Sequence, residues 1–175
     1  MPTEISGSTG VNKIQDNTIV NADINSSAAI DTSKLNEISF GASMSSNQTA
    51  STGAWTKISL NSELWDTATA YDPSTNYRFT VPSGGAGRYS INASIEMTNV
   101  NADKLCQISI RKNGSSMAGS THRDLSPYTQ PDVKFTMGTI MNLSVGDYLE
   151  LWVYHNTGET ETIAAHETFF GAFKI

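Results

Sequence analysis

Side chains that could carry out chemistry are few in this sequence and are widely spaced. The three histidines, His122, His155 and His166, are not separated from one another or from a cysteine by the intervals that metal-binding motifs use. His155 closes an alternating apolar segment, so a position in the core or at its rim is favoured over a ligand. The dipeptide His166-Glu167 lacks the remainder of a zinc-protease motif. We therefore predict that the protein is not an enzyme.

Acidic residues in the last third of the chain offer one metal-binding alternative. Asp147, Glu159, Glu161 and Glu167 could gather at one end of a β-sandwich, and hard cations such as calcium bind such groups of carboxylate oxygens. A solvated acidic surface is the simpler interpretation of the same residues. The sequence thus predicts neither a metal nor a cofactor, and calcium is the alternative that these carboxylates leave open.

Composition and charge exclude several classes of function. The chain has 175 residues, a formal net charge of -6 and no basic run longer than Arg111-Lys112, which argues against binding nucleic acid or an anionic membrane. No apolar run is long enough to cross a bilayer, and a single cysteine excludes an internal disulfide. Cys106 alternates with Ile108 and Ile110, which indicates a buried, inert thiol. The N-terminal segment lacks the features of a signal peptide, so we expect synthesis in a cytoplasm.

Residues 1–37 differ from the rest of the chain in composition and periodicity. They contain no aromatic residue and are rich in Asn, Ser, Thr, Asp and Ala. Large aliphatic residues nevertheless recur at intervals of five, five, six and five: Ile14, Ile19, Ile24, Ile30 and Leu35. Neither a helix nor a regular strand has that period. It suits an extended arm that inserts single side chains into successive pockets, or a short stalk of intertwined chains; a disordered tail is the alternative.

From residue 38 onward the sequence is typical of β structure. Between Tyr89 and Met97 every odd residue is apolar and every even residue is polar, which is the period of a strand with one buried face. Asn113-Gly114 is a strong hairpin signal at the end of another strand. These segments and the turn residues between them predict eight to ten strands in a sandwich or jelly roll. The predicted strands are 38–44, 55–60, 78–81, 89–97, 105–112, 134–143, 148–155 and 162–175.

Aromatic residues occupy both faces of the last two predicted strands. One strand carries Trp152 and Tyr154, and the other carries the adjacent pair Phe169 and Phe170. A strand of a two-layer sandwich has one face in the core, so apolar groups on both faces indicate a second buried surface. We predict that these four residues form a subunit interface. Cover by the protein's own loops, such as residues 64–65 or 125–128, is the alternative.

Several motifs over residues 40–175 resemble those of complement-C1q-like domains. The segment 79–91 is similar to the Phe-x-x-Pro-x-x-Gly-x-Tyr-x-Phe signature of that family, and 110–114 is similar to its Lys-Asn-Gly hairpin. The segment 143–151 resembles the family's Leu-x-x-Gly-Asp-x-Val strand entry. The closing Phe-x-Gly-Phe strand resembles 169–173. The order and relative spacing of the motifs are those of the family.

The first of these motifs departs from the family's pattern, because two extra residues precede Gly87 and Ile91 replaces a phenylalanine. These differences affect the local loop rather than the fold. The resemblance implies an all-β, C1q/TNF-like ten-stranded jelly-roll sandwich over residues 38–175, preceded by the extended arm and assembled as a homotrimer. In that family the sheet that contains strand 89–97 lines the threefold axis, so the polar residues of this strand imply a hydrated axis.

Two segments of the arm, 17–24 and 28–35, resemble sequences in bacteriophage tail-fibre and other virion fibre proteins. Together with the C1q-like domain, they imply a virion structural protein on the virion surface: a homotrimeric fibre, spike or capsid decoration that its arm holds to other virion proteins. Exposed loops such as 115–130 would bind a host-surface glycan or protein. The alternatives are a capsid-stabilising cement protein without a receptor role and a carbohydrate-binding module of a surface protein.

Overall fold

The computed structural model describes residues 37–101, 103–125 and 132–175. In these residues, thirteen strands form two antiparallel sheets, and Ala165–Glu167 forms a 3-10 turn. For residues 118–125 it describes the backbone. Among the described residues, no helix has the length and hydropathy needed to span a bilayer. Almost all of the predicted arm lies outside the described residues, and so do its candidate anchors: Ile14, Ile19, Ile24, Ile30 and Leu35.

The first sheet contains seven strands: β1 (Ser39–Ser43), β2 (Gln48–Ser51), β4 (Ser62–Asp66), β7 (Gly87–Thr98), β10 (Asp132–Leu143), β12 (Thr160–Ile163) and β13 (Phe169–Lys174). The long strand β7 is central. β10 pairs with β7 over its whole length, so β12 and β13 share the opposite edge of β7. Beyond β13 lie β1 and then β4, and beyond β12 lies β2. β10 is therefore an edge strand of this sheet.

The second sheet contains six strands: β3 (Thr56–Lys57), β5 (Tyr71–Asp72), β6 (Arg78–Thr80), β8 (Leu105–Lys112), β9 (Ser115–Leu125) and β11 (Tyr148–His155). Their order is β5-β6-β11-β8-β9, and β3 also pairs with β11. The turn between β8 and β9 confirms the predicted hairpin. Asn113 and Gly114 both have positive φ angles, 52° and 78°, which suit the twist of a two-residue hairpin.

An aromatic cluster joins the inner faces of the two sheets. Phe40 of β1 stacks on Phe79 of β6 with ring centroids 4.7 Å apart, and on Tyr71 of β5 at 5.1 Å. Phe170 of β13 meets Phe40 edge-on at 5.2 Å, and Tyr89 of β7 lies 5.7 Å from Phe79. All five side chains are buried, and the burial of each phenylalanine contributes roughly 1.5–3 kcal/mol. The cluster fixes which face of each sheet points inward.

The predicted jelly-roll fold is confirmed. Ten of the thirteen strands in the described residues have four or more residues, and β3, β5 and β6 are shorter. The odd residues of β7 are buried from Tyr89 to Met97, as their alternation predicts. Cys106 is also buried, in agreement with an inert thiol.

Two strands of the first sheet carry too little apolar signal to be predicted from the sequence. β2 buries only Ala50, and β4 has no buried residue. Such strands lack the period-two pattern from which the other strands were predicted. The predicted strand 55–60 is also shorter in the structure, where only Thr56–Lys57 pairs with β11. After Ile58, whose backbone N–H donates to Leu151 at 2.9 Å, the chain leaves the second sheet.

The structure corrects the prediction of an exposed loop over residues 115–130. Ser115–Leu125 is strand β9, which pairs with β8 and forms an edge of the second sheet. Residues 126–131 lie outside the described part of the chain. The first seven residues of β9 are mostly Ser, Gly and Thr, which give little indication of a strand. The strand is indicated instead by its partner β8 and by the hairpin that joins them.

Candidate functional site

A row of glycine residues crosses the outward face of the first sheet. Gly41 of β1 pairs with Gly171 of β13. On β7, Asn92 pairs with Gly171 on one side and with Gly138 of β10 on the other. Paired residues of antiparallel strands share a face of the sheet. Of the four paired positions along this line, only Asn92 carries a side chain.

Two aromatic rings lie over these glycines. A Cβ atom at Gly41 would come within 2.4 Å of the Trp65 ring, and one at Gly171 would come within 2.7 Å of Cζ of Phe169. The two rings are 6.0 Å apart between centroids and are inclined by 32°. Glycine is used here because the rings approach the backbone closely. The rings occupy the space that side chains at these positions would take.

Exposed apolar side chains flank the glycine row. Ser90 of β7 pairs with Ile140 of β10 and with Phe173 of β13, which places these two apolar residues on the same face. The exposed fraction is 63% for Ile140, 47% for Phe173 and 46% for Trp65. We call Trp65, Ile140, Phe169 and Phe173 the first-sheet apolar patch. An apolar patch of this kind, rimmed by polar residues, is typical of an interaction surface.

A depression of about 400 Å³ adjoins this patch. The absence of a side chain at Gly138 and the short side chains around it create the space. The lining contains amide, hydroxyl and apolar groups but no charged side chain, so it suits a neutral group of another protein better than an ion. The lining residues are Asn92, Ala93, Ser94, Thr136, Met137, Gly138 and Phe169.

Four ionisable side chains lie at one end of the same face. Glu96 of β7 pairs with Lys134 of β10, and the 3-10 turn brings His166 and Glu167 close to them. One ligand atom from each of Glu96, His166 and Glu167 lies within 4.8 Å of the others. Lys134 donates a hydrogen bond to the Glu167 carboxylate, which lowers the pKa of that group. The hydroxyl of Ser94 donates to the backbone oxygen of Glu167 at 2.9 Å and so ties the turn to β7.

The carboxylates that the sequence suggested as a calcium site do not converge. Asp147 instead accepts hydrogen bonds from Lys112 Nζ and Asn113 Nδ2, each at 2.7 Å. The hydrogen bond from Lys112 is the main reason that the pKa of Asp147 falls to about 2. In the described part of the chain, no three of the four suggested residues bring ligand atoms within 4.8 Å of one another: Asp147, Glu159, Glu161 and Glu167.

His155 occupies the core position that its place in the sequence predicts. The ring is fully buried, with Nδ1 3.0 Å from the Thr157 hydroxyl and Nε2 2.9 Å from the carbonyl oxygen of Ala50. Because both ring nitrogens have partners, His155 links β11 to β2 rather than binding a ligand.

The outward face of the second sheet carries a different aromatic cluster. The guanidinium of Arg111 lies between two indoles, 4.3 Å from the centroid of the Trp152 ring and 4.7 Å from that of Trp55. Tyr154 packs against Trp55 at 5.6 Å. The buried carboxylate of Glu150 accepts a hydrogen bond from Trp152 Nε1 at 3.1 Å. Burial lowers the pKa of Arg111 while Glu150 opposes that shift.

The four predicted interface residues do not form one surface. Trp152 and Tyr154 lie on the outward face of the second sheet, whereas Phe169 lies on that of the first sheet. The prediction for Phe170 is wrong, because its side chain is fully buried in the core of the protomer and has no surface left for a partner. The alternative of cover by the protein's own chain holds in part, since Trp65 packs against Phe169.

The period of a strand would have separated these residues correctly. In β13 the odd residues Phe169, Gly171 and Phe173 share one face, and Phe170 belongs to the other. The sequence analysis therefore missed Phe173 as a member of the patch. It also missed Trp65 and Ile140, for which the sequence offers no comparable signal, since their place on the face depends on how β4, β1 and β10 pair.

The sequence comparisons identify no family. No protein-family model matches the chain. The curated Bacillus subtilis (strain 168) protein YqcC, whose name describes it as uncharacterized, is 31% identical over 112 residues, which is 62% of this chain and 30% of that protein. The chain thus spans about a third of the length of this curated relative.

Solved structures resemble the chain in fold. Eiger TNF from S. frugiperda covers 79% of this chain and 91% of its own with a TM-score of 0.55 and 16% identity. The match to the globular domain of zebrafish complement 1qA covers 77% of this chain and 94% of that one, with a TM-score of 0.51 and 16% identity. The match to murine APRIL covers 79% of this chain and 99% of that one, with a TM-score of 0.57 and 14% identity. At this identity the likeness shows the fold alone, a jelly roll of the C1q and TNF type.

Proposed function

We propose that the jelly roll assembles into a homotrimer through the outward face of its first sheet. The observation that carries this proposal is the first-sheet apolar patch, in which Trp65, Ile140 and Phe173 each expose between 46% and 63% of their surface. The other side of this sheet already lies in the core, so a partner is needed to cover these side chains. The resemblance of the sequence to complement-C1q-like domains supports three as the number of copies.

The geometry of this face suits a closed ring. In a cyclic trimer each protomer presents one surface to one neighbour and a different surface to the other. Ile140 stands on the edge strand β10 and is the most exposed member of the patch, whereas the depression beside Phe169 lies further into the sheet. A protruding edge and a recessed interior are the complementary parts that such a contact needs. The polar residues Ser90 and Asn92 between them support a hydrated axis.

Solution mass tests the assembly. Light scattering on the purified full chain should give three times the 18.9 kDa of one chain, about 57 kDa, independent of concentration in the micromolar range. A stable monomer at those concentrations would contradict the proposal.

We further propose that the trimer is a non-enzymatic structural component of a bacteriophage particle, as a fibre, spike or capsid decoration. This part rests on the resemblance of segments 17–24 and 28–35 to virion fibre sequences. Three arms would hold the trimer to other virion proteins through their regularly spaced aliphatic residues. Three heads on one particle site would make weak contacts with a host-surface glycan or protein additive through avidity.

Deletion of residues 1–37 tests the anchoring role. The truncated chain should remain trimeric, because the assembly surface lies entirely in the jelly roll, but it should no longer be incorporated into particles. Incorporation of the truncated protein at normal levels would show that the arm is not the anchor.

A cement protein and a surface carbohydrate-binding module are the alternative roles. Loss of adsorption with unchanged particle stability, after removal of the protein, would favour the receptor-binding role over cement.

A further inference from the structure

Glu96, His166 and Glu167 lie at one end of the outward face of the first sheet and are not members of the first-sheet apolar patch. One carboxylate oxygen of each glutamate and a ring nitrogen of the histidine lie within 4.8 Å of one another. Nitrogen and oxygen ligands of zinc lie at about 2.0–2.2 Å from the ion, so two of them are separated by at most about 4.4 Å. Tetrahedral geometry places such ligand atoms about 3.4 Å apart, so small torsional adjustments that move each ligand atom by about 1 Å would bring all three into one coordination sphere.

The ligand atoms of two of these residues have no competing role. Within the described residues, neither the carboxylate of Glu96 nor the imidazole of His166 makes a hydrogen bond to another group. Both side chains also retain access to solvent, which an entering ion requires. The backbone that positions them is fixed, because Glu96 lies within β7 and the 3-10 turn is bonded to Ser94.

We propose that Glu96, His166 and Glu167 bind a divalent transition-metal ion such as zinc. An imidazole and carboxylates are the nitrogen and oxygen ligands that zinc and its neighbours in the first transition row prefer. Three protein ligands leave one tetrahedral position for water. Calcium fits less well, since it takes six to eight oxygen ligands and this group offers an imidazole in place of one of them.

Lys134 acts as an internal competitor for the metal. Its ammonium group donates to the Glu167 carboxylate, so a metal ion at that carboxylate must displace or repel the ammonium. Removal of this positive charge leaves two carboxylates and an imidazole facing one another. The affinity for a divalent ion should then rise, which is the opposite of what a merely structural role for Lys134 would produce.

Titration of the metal-free full chain tests the site. Untagged protein, treated with a chelator and dialysed, is titrated with Zn²⁺ by calorimetry and with Co²⁺ by visible absorption, which reports nitrogen and oxygen coordination directly. We expect one ion per chain. His166→Ala and Glu96→Gln should each weaken Zn²⁺ binding by at least about tenfold. Lys134→Met should strengthen it, and Glu159→Gln, at an exposed carboxylate outside the group, should leave it unchanged.

Two results would overturn the proposal. One is the absence of Zn²⁺ and Co²⁺ binding up to about 1 mM. The other is unchanged Zn²⁺ affinity in both His166→Ala and Glu96→Gln, which would place the ion elsewhere on the chain. Thermal melting of each variant checks that it is folded, and the Lys134→Met result supplies an independent test if one ligand variant is not. Solution mass is measured separately, so the absence of a metal would leave the trimer proposal intact.

Discussion

The two outward faces of the jelly roll both carry aromatic residues, but the rest of the protomer covers these residues to different extents. On the second sheet, Arg111 fills the space between Trp55 and Trp152. On the first sheet, Trp65 and Phe169 lie over bare glycine backbone, and nearly half of Phe173 remains exposed. The second-sheet cluster is thus covered largely from within the protomer, whereas the first-sheet patch still exposes large apolar side chains.

The buried carboxylate of the second face has hydrogen-bond partners as well, whereas Nε of Arg111 is buried without one among the described residues. Glu150 accepts hydrogen bonds from Lys57 Nζ and Trp152 Nε1, both at 3.1 Å, and Lys57 also donates to the backbone oxygen of Asn76 at 3.0 Å. A buried carboxylate is tolerated when it has such partners. Aromatic residues on both faces of a strand therefore do not identify an interface by themselves. The covering partner has to be sought first within the same chain.

The largest expected effect comes from placing a charge in the first-sheet apolar patch. Phe173→Asp should convert the trimer into monomers, because each of the three contacts would then bury a carboxylate without a partner, at a cost of about 2 kcal/mol or more per contact. The protomer should stay folded, since this side chain is 47% exposed. Light scattering measures the mass, and circular dichroism checks the fold.

A matched control for this variant is Val145→Asp. Val145 is also an exposed apolar residue, 55% accessible, but it lies in the turn between β10 and β11. The same change of charge there should leave the trimer intact. A trimeric Phe173→Asp protein, or equal dissociation of both variants, would show that the first face is not the assembly surface.

The sequence predicts most of the fold because strands of a sandwich repeat a simple pattern. The alternation over β7, the Asn113-Gly114 turn and the bounds of β11 are local features that depend on residues one or two positions apart. β2 and β4 are not predicted because their residues are mostly polar or exposed. They become strands through backbone pairing, β2 with β12 and β4 with β1. Such long-range pairing is not visible in a local pattern.

The candidate sites are less predictable for the same reason. Gly41, Gly171 and Gly138 form a row only because three separate ladders are in register. Glu96 lies about seventy residues before His166 in the chain, and the two become neighbours only when β12 and β13, the strands on either side of the 3-10 turn, pair with β7. A reading of the sequence for metal motifs looks for short intervals and therefore misses this group.

The next largest effect is the loss of protomer stability on replacing a glycine of the row, and it should differ between Gly171 and Gly138. At Gly171 a Cβ would meet the backbone oxygen of Phe40 at 2.9 Å as well as the Phe169 ring, so Gly171→Ala should destabilise the protomer by about 1–3 kcal/mol. At Gly138 the nearest atom is Oδ1 of Asn92 at 3.3 Å, a side-chain atom that can move.

Gly138→Ala is therefore the matched control for that variant. We expect its melting temperature to stay near that of the parent chain, while the trimer weakens because the new methyl group partly fills the depression. Chemical denaturation of both variants, alongside concentration-dependent light scattering, separates the two effects. Equal loss of stability in both variants would mean that this row of glycines has a single, purely structural role.

A smaller effect is expected on the second face. Arg111→Met keeps the length of the side chain but removes two cation–π contacts, each contributing about 0.5–2 kcal/mol when partly desolvated. The melting temperature should fall, and the solution mass should remain that of the trimer. Dissociation of this variant at unchanged stability would mean that Trp152 and Tyr154 belong to the interface after all.

The smallest effect concerns the ion pairs of the two sheets, which differ in exposure and in the number of hydrogen bonds. Asp147 accepts from Lys112, Asn113 and the backbone of Ser144, whereas Glu167 is more exposed and has Lys134 as its partner. Because the pKa of Asp147 is lowered from 3.8 to about 2, its pairing stabilises the folded protein fully above that ordinary value and is lost as the pH falls through about 2. Asp147→Asn should therefore cost on the order of 1 kcal/mol at neutral pH and reduce the fall in stability between about pH 4 and pH 2. Glu167→Gln should lose less stability than Asp147→Asn at neutral pH, because solvent already screens the ion pair of Glu167 with Lys134.

Urea denaturation of both variants at pH 7 and at pH 3 measures this difference in the free energy of unfolding. A larger loss for Glu167→Gln would show that the more exposed pair is the more stabilising one.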